Sequence, residues 1–238
     1  MRLDKFLCET QGVSRSIAGN MVKKGRVSIN EKRAASPSLK IKPNEDNIAL
    51  DGKAINGATG FRYFMMHKPE GVVCANQDSE HPIVFDLMKA TINLQTLHTV
   101  GRLDIDTTGL LFITDDGQWS HTLTSPKHQH DKTYRAWLAE PLIEDAETRC
   151  QNGMLLHNEM HQTKPAKLSR ITNTEVLLTI SEGRYHQVKR MFAALGNRVI
   201  KLHREEISGV ALDTNLQLGE YRELTTQEKK LLGIADVN

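Results

Sequence analysis

Apolar residues recur at helical spacing at the start of the chain, where Leu3, Phe6 and Leu7 fall three and four apart. Gln11-Gly12 interrupts the pattern. Ser14 then stands where an N-cap belongs, ahead of Ile17, Ala18, Met21 and Val22, which share one apolar stripe. Arg15, Lys23 and Lys24 lie off that stripe, and Gly25 is placed to stop the helix. Arg26 to Asn30 and Ile48 to Leu50 read as short strands, punctuated by Pro37, Pro43 and Asp51-Gly52. Asn56-Gly57-Ala58-Thr59-Gly60 is small, polar and rich in glycine. The linker is placed there, which predicts one unit over residues 1–58 and a second over 59–238.

Strand patterns dominate from Phe61 onward. Phe61 to Met66 predicts a strand ended by Lys68-Pro69-Glu70-Gly71, whose Pro and Gly suit a tight turn. Leu110 to Thr114 predicts a buried strand closed by Asp115-Asp116-Gly117. Lys132 to Ala139 alternates, with Tyr134, Ala136 and Leu138 on one face and Thr133, Arg135 and Trp137 on the other. Val176 to Ile180 is a further apolar run. Val188, Met191, Phe192 and Leu195 sit at i, i+3, i+4 and i+7 between Gly183 and Gly196, which predicts a helix. Asn197 to Arg204 returns to strand-like alternation. Runs of strands broken by occasional helices predict an α+β fold with a mixed, largely antiparallel sheet.

Composition narrows the setting. The 238 residues, 39% of them hydrophobic, suffice for a small and a medium domain. No apolar run approaches the roughly 20 residues of a membrane span, and Met1-Arg2-Leu3-Asp4-Lys5 lacks an apolar signal core. Cys8, Cys74 and Cys150 are scattered, which predicts small core residues in a reducing cytoplasm. The net charge of +2 hides an asymmetry: residues 1–60 hold eleven Lys/Arg and six Asp/Glu, a balance of +5, leaving −3 for the rest. A basic head on a mildly acidic body suits a nucleic-acid binder, and equally a solvated basic face.

Two segments carry candidate chemistry. Gly101-Arg102-Leu103-Asp104-Ile105-Asp106-Thr107-Thr108-Gly109 leads into the Leu110 strand. It reads either as a loop whose Asp and Thr side chains cap the backbone, or as a carboxylate presented at a strand end as a nucleophile. Gly183 to Phe192 forms the second segment, with His186, Lys189 and Arg190 expected on the helix face opposite the apolar stripe. That face is an ordinary solvated one, a basic wall for a phosphate backbone, or the source of a cation that keeps a nearby carboxylate ionised. His128-Gln129-His130 has no Cys or acidic partner at ligand spacing, so no metal site is expected. No phosphate-cradling loop or dinucleotide glycine pattern occurs.

Arg102-Leu103-Asp104 with Thr107-Thr108-Gly109-Leu110-Leu111 resembles the central motif of the pseudouridine synthases. Lys68-Pro69-Glu70-Gly71 resembles that family's first motif, Lys132-Thr133-Tyr134 its tyrosine motif, and Gly183 to Met191 its third motif in the form of the RsuA/RluB/RluE/RluF branch. Ser14-Arg15 and Lys23 to Asn30 are similar to the RNA-binding domain of ribosomal protein S4. The likeness runs in family order over nearly the whole chain and is strongest to members acting on small-subunit (16S) rRNA. His67 departs from it, standing where many members carry Asn, and flanks the turn.

The resemblance implies isomerisation of a uridine in rRNA without cofactor or metal. Asp104 would be the nucleophile, attacking either C6 of the base or C1′ of the sugar. Lys189 would be its cationic partner, and Tyr134 would stack on the base and help move the C5 proton. Ile180 would pack beside the base, and Arg102 would displace the nucleotide or bind its phosphate. Arg15, Lys23, Lys24 and Arg26 would hold RNA phosphates. The expected partner is rRNA in a partly assembled small subunit, met by a monomer with no membrane attachment. Other readings are a synthase acting on large-subunit rRNA and a non-catalytic rRNA-binding assembly factor.

Overall fold

The structure, a computed structural model, describes residues 1–11, 13–43, 45–55, 60–88, 91 and 94–234. The Gly12 break and the Asn56–Thr59 part of the linker lie outside these residues. The described residues fall into two compact units, one drawn from 1–61 and 89–97 and the other from 62–88 and 98–238.

In the first unit, helices α1 (Leu3–Gln11) and α2 (Arg15–Lys23) accompany an antiparallel sheet of β1 (Val27–Ile29), β2 (Lys32–Arg33), β3 (Ile48–Leu50) and β4 (Lys53–Ile55), in the order β2-β1-β3-β4. Leu3, Phe6 and Leu7 pack with Ala18, Val22, Val27 and Ile48 in its core. Ser14 caps α2 by accepting from the Ile17 amide, and Gly25 follows with φ +74°. Ile17 departs from expectation: it is 48% exposed, because the buried arc centres on Ala18 and Val22 and leaves Ile17 on its flank.

The second unit contains β5 (Tyr63–Lys68), β6 (His98–Val100), β7 (Thr107–Thr114), α3 (Gly117–Thr124), β8 (Lys132–Leu138), α4 (Ala146–Asn152), β9 (Lys167–Arg170), β10 (Glu175–Ile180), α5 (Gln187–Ala194), β11 (Val199–Ile207), β12 (Val210–Ala211), β13 (Tyr221–Glu223) and α6 (Thr226–Leu231). Its mixed sheet runs β13-β5-β7-β11-β8-β10-β9, with β6 on β7 and β12 on β11. Among the pairings of these strands only β7 with β11 is parallel. Tyr63, Met65, Leu110 and Phe112 pack against Trp119 and Leu123 of α3 in the core. Tyr134, Ala136 and Leu138 are buried on β8 while Thr133, Arg135 and Trp137 are less so, as the alternation predicts. The predicted α+β class is observed.

Register places the chemistry. Lys68 lies opposite Gly109, Gly109 opposite Arg204, Arg204 opposite Tyr134, and Tyr134 opposite Leu178. One row of partners thus crosses five strands. Gly109 is required in it: at φ +113°, a Cβ there would sit 2.3 Å from the Arg204 carbonyl oxygen.

Three boundaries differ from the sequence expectation. The strand expected at Phe61–Met66 is shifted to Tyr63–Lys68, because Lys68 stays in the sheet with its ammonium satisfied internally. Thr107-Thr108-Gly109 belongs to β7 rather than to the preceding loop, held there by pairing with Leu202–Arg204. Helix α5 starts only at Gln187, since His186 is left-handed at φ 47°. Of the three cysteines expected in the core, only Cys150 is buried; Cys8 and Cys74 are partly exposed. No helix among the described residues is long and apolar enough to cross a membrane.

Candidate active site

Asp104 sits in the short loop that feeds β7. The loop's backbone is fastened from beneath by Lys68, which has no exposed surface. Its Nζ donates to the carbonyls of Pro69 (3.0 Å), Asp104 (3.0 Å) and Thr107 (2.9 Å). Burial pushes the Lys68 pKa down, and the acidic groups Asp104, Asp106 and Glu70 oppose that shift. The first-motif lysine therefore ties the turn after β5 to the loop that presents the carboxylate. The Thr107 amide also donates to the Asp104 carbonyl (3.1 Å).

The Asp104 side chain does not cap its own backbone. Its Oδ2 faces Lys189 Nζ at 3.0 Å and its Oδ1 faces His186 Nε2 at 3.5 Å. Lys189 also donates to Asp106 Oδ1 at 2.6 Å. Desolvation pulls the Lys189 pKa down, but hydrogen bonds to Asp106 and Asp104 outweigh it and the net shift is upward. Desolvation likewise raises Asp106, and the Lys189 ammonium more than reverses it. One lysine thus bridges two carboxylates, one of them aimed into a cavity.

That cavity measures about 600 Å³ and is lined by Arg102, Asp104, Tyr134, Ile180, Lys189 and Arg204 among others. Its volume suits a ligand of nucleotide size. Tyr134 is buried on its wall, and its hydroxyl accepts from Arg204 Nη1 at 3.3 Å. Arg204 Nε donates to the Leu110 carbonyl at 2.8 Å, which fixes the guanidinium beneath the tyrosine ring. Ile180 is buried, and Arg102 is exposed at the cavity. All five residues expected at the reacting nucleotide are therefore brought to one cavity.

The other cations of the third motif are differently employed. Arg190 is tied to Glu159 (2.9 Å), to the His157 carbonyl (2.7 Å) and to the Tyr185 carbonyl (3.2 Å). Arg184 is held by the His161 carbonyl (2.8 Å) and by Glu182 and Glu159. Arg190 and Arg184 staple the segment and form no free phosphate-facing wall. In the first unit Arg15, Lys23 and Lys24 are exposed, whereas Arg26 is paired with Asp51. Sequence reasoning missed Lys68, Asp106 and Arg204 as parts of this site. The first-motif lysine could have been found from its Lys-Pro-Glu-Gly context; Arg204 becomes visible only through strand register.

A carboxylate facing a fixed ammonium, with a tyrosine on the wall of a nucleotide-sized pocket, equips the second unit for nucleophilic chemistry on a flat ring. Residues 62–194 match the RNA pseudouridylate synthase family, and residues 1–47 match the S4 domain. The chain belongs to the pseudouridine synthase family, as a member with an N-terminal S4 domain. It is 50% identical over 228 residues to ribosomal small subunit pseudouridine synthase A of Escherichia coli (strain K12), covering 96% of this chain and 98% of that one. To the enzyme of the same name from Vibrio cholerae serotype O1 it is 51% identical over 228 residues, covering 96% and 97%. A crystal structure described as pseudouridylate synthase superposes with a TM-score of 0.71 at 47% identity, covering 98% of this chain and 99% of the other. The resemblance carried by the motifs is borne out.

Proposed function

We propose that this chain isomerises a uridine of small-subunit (16S) rRNA to pseudouridine, with Asp104 as the nucleophile. The observation that carries the reading is the Asp104 carboxylate on a cavity of about 600 Å³, 3.0 Å from the Lys189 ammonium. The substrate rests on relatives half identical over nearly the full chain and named for the ribosomal small subunit.

In the reaction the N1–C1′ bond breaks, the uracil turns, and C5 bonds to C1′. C5 loses a proton and N1 gains one, so no group is imported and no cofactor is called for. Asp104 bonds transiently to C6 of the base or to C1′ of the sugar, tethering that fragment while the N1–C1′ bond breaks. This bond is broken again to return the free carboxylate as pseudouridine forms. Lys189 fixes the carboxylate and balances its charge. Tyr134 stacks on the uracil and assists proton transfer at C5, its hydroxyl oriented by Arg204. Ile180 packs on the base, and Arg102, exposed at the cavity, holds the extruded nucleotide. Extrusion costs a few kcal/mol, less from an unpaired loop. The unit over residues 1–58 supplies binding energy to offset it through Arg15, Lys23, Lys24 and Arg26, and the unit over 59–238 carries the chemistry. The setting is the cytoplasm, and the substrate is a partly assembled small subunit bound by a monomer.

Tritium release from C5-labelled small-subunit rRNA tests the reading. We expect release by the wild type and a loss of at least about 10⁴-fold in Asp104→Asn, as for other catalytic nucleophiles. Equal release by both removes Asp104 from the chemistry. Release from large-subunit rRNA instead reassigns the substrate. Tight binding without any release makes the chain an assembly factor.

A further inference from the structure

One exposed aromatic side chain at the cavity takes no part in the proposed reaction. Tyr185 lines the cavity and is 73% exposed. Its ring lies on that of His186, with centroids 3.8 Å apart and an interplanar angle of 19°. His186 in turn reaches Asp104 at 3.5 Å. Tyr185 therefore stands one ring away from the carboxylate, with its far face open to water.

The support beneath it is fixed. Gln187 is buried, accepts from the Arg184 amide (2.9 Å) and donates to Glu182 Oε1 (2.9 Å). Arg190 donates to the Tyr185 carbonyl (3.2 Å). The nearby guanidiniums of Arg184 and Arg190 are already committed to carboxylates and carbonyls. The aromatic face is the element of this segment still free to bind.

We infer that Tyr185 is a stacking platform for the nucleobase next to the target uridine in the RNA chain. The inference rests on the proposed reaction at Asp104. Extruding the uridine strips its neighbour of a stacking partner, and a flat ring at the cavity replaces that partner. Every base has a π-face, so such a platform tolerates any neighbour and adds affinity without adding sequence readout. His186 backs the platform and keeps its distance from Asp104 fixed.

The test uses the full-length chain and C5-tritiated small-subunit rRNA, comparing wild type with Tyr185→Ala and Tyr185→Phe. Loss of one base–aromatic stack is expected to raise KM about tenfold in Tyr185→Ala. The kcat should move less than about threefold, and Tyr185→Phe should restore wild-type KM. With 2-aminopurine beside the mapped target, wild type and Tyr185→Phe should quench its fluorescence on binding, and Tyr185→Ala should not. A KM within twofold of wild type for Tyr185→Ala, or equal quenching by it, overturns the platform while the reaction stands. A loss confined to kcat assigns Tyr185 to Asp104 positioning and overturns it also. Absence of release by the wild type removes the proposed reaction, and the platform with it.

Discussion

The two units use the same residue types for opposite purposes. In the first, Arg15, Lys23 and Lys24 are exposed and form no ion pair among the described residues. In the second, buried Lys68 donates to three backbone carbonyls, buried Arg204 donates to the Leu110 carbonyl and the Tyr134 hydroxyl, and Lys189 bridges two carboxylates. A cation in water acts through long-range attraction that salt screens and neighbours can replace. A cation inside the fold acts through donor geometry, and its removal leaves acceptors stranded. Total charge therefore says little about either unit; what the charge touches decides whether a substitution changes affinity, stability or turnover.

The sharpest break of that contrast comes from Lys68→Met. It leaves three carbonyls without their shared donor, and we expect a loss of about 3 kcal/mol of stability. Both tryptophans, Trp119 and Trp137, lie in the second unit, so their fluorescence during urea unfolding reads that unit alone. A loss under about 1 kcal/mol would show that the buried ammonium is dispensable. Lys189→Met comes next, with kcat down about 10²-fold, the usual cost of one charged donor at a reacting group. Its folded-state pKa is raised, so the stabilisation its pairing gives is complete below the unfolded value of about 10.4 and fades only as pH climbs through the folded one. The deficit should accordingly be constant from pH 7 to about pH 9. A deficit that shrinks toward pH 9 would assign the lysine a proton-transfer role.

The same contrast explains what the sequence disclosed. Elements with one clear period were legible: Leu3-Phe6-Leu7, the Val188 to Leu195 helix and the alternating β8 all occur where their patterns place them. Asp104, Tyr134 and Lys189 were legible through motifs, and the cavity joins them. Boundaries failed where a polar residue finds its partner far along the chain. Lys68 looked like part of the turn after the strand because two of its three acceptors, the carbonyls of Asp104 and Thr107, lie far along the chain. Thr107–Gly109 looked like a loop because its parallel partner lies about a hundred residues on. Arg190 stayed open between a solvated face and a phosphate wall because its partners His157 and Glu159 lie about thirty residues away. Local pattern fixes amphipathic elements, whereas buried cations are fixed by tertiary acceptors.

The smallest expected effect probes the first unit. If Lys23 and Lys24 act only as phosphate partners, replacing both with Gln should weaken rRNA binding and lower the slope of log K against log salt by about 1.4, near 0.7 for each contact on single-stranded RNA. The kcat at saturating RNA should fall by less than about twofold, since neither side chain belongs to the catalytic unit. Arg26→Gln should move the slope by under half of one contact's share, because Asp51 already competes for its guanidinium. Fluorescence anisotropy between 50 and 200 mM salt measures both variants. A full contact's loss in Arg26→Gln would mean that RNA displaces Asp51. An unchanged slope in the double variant would take the two lysines out of the interface and leave the basic head as a solvated face.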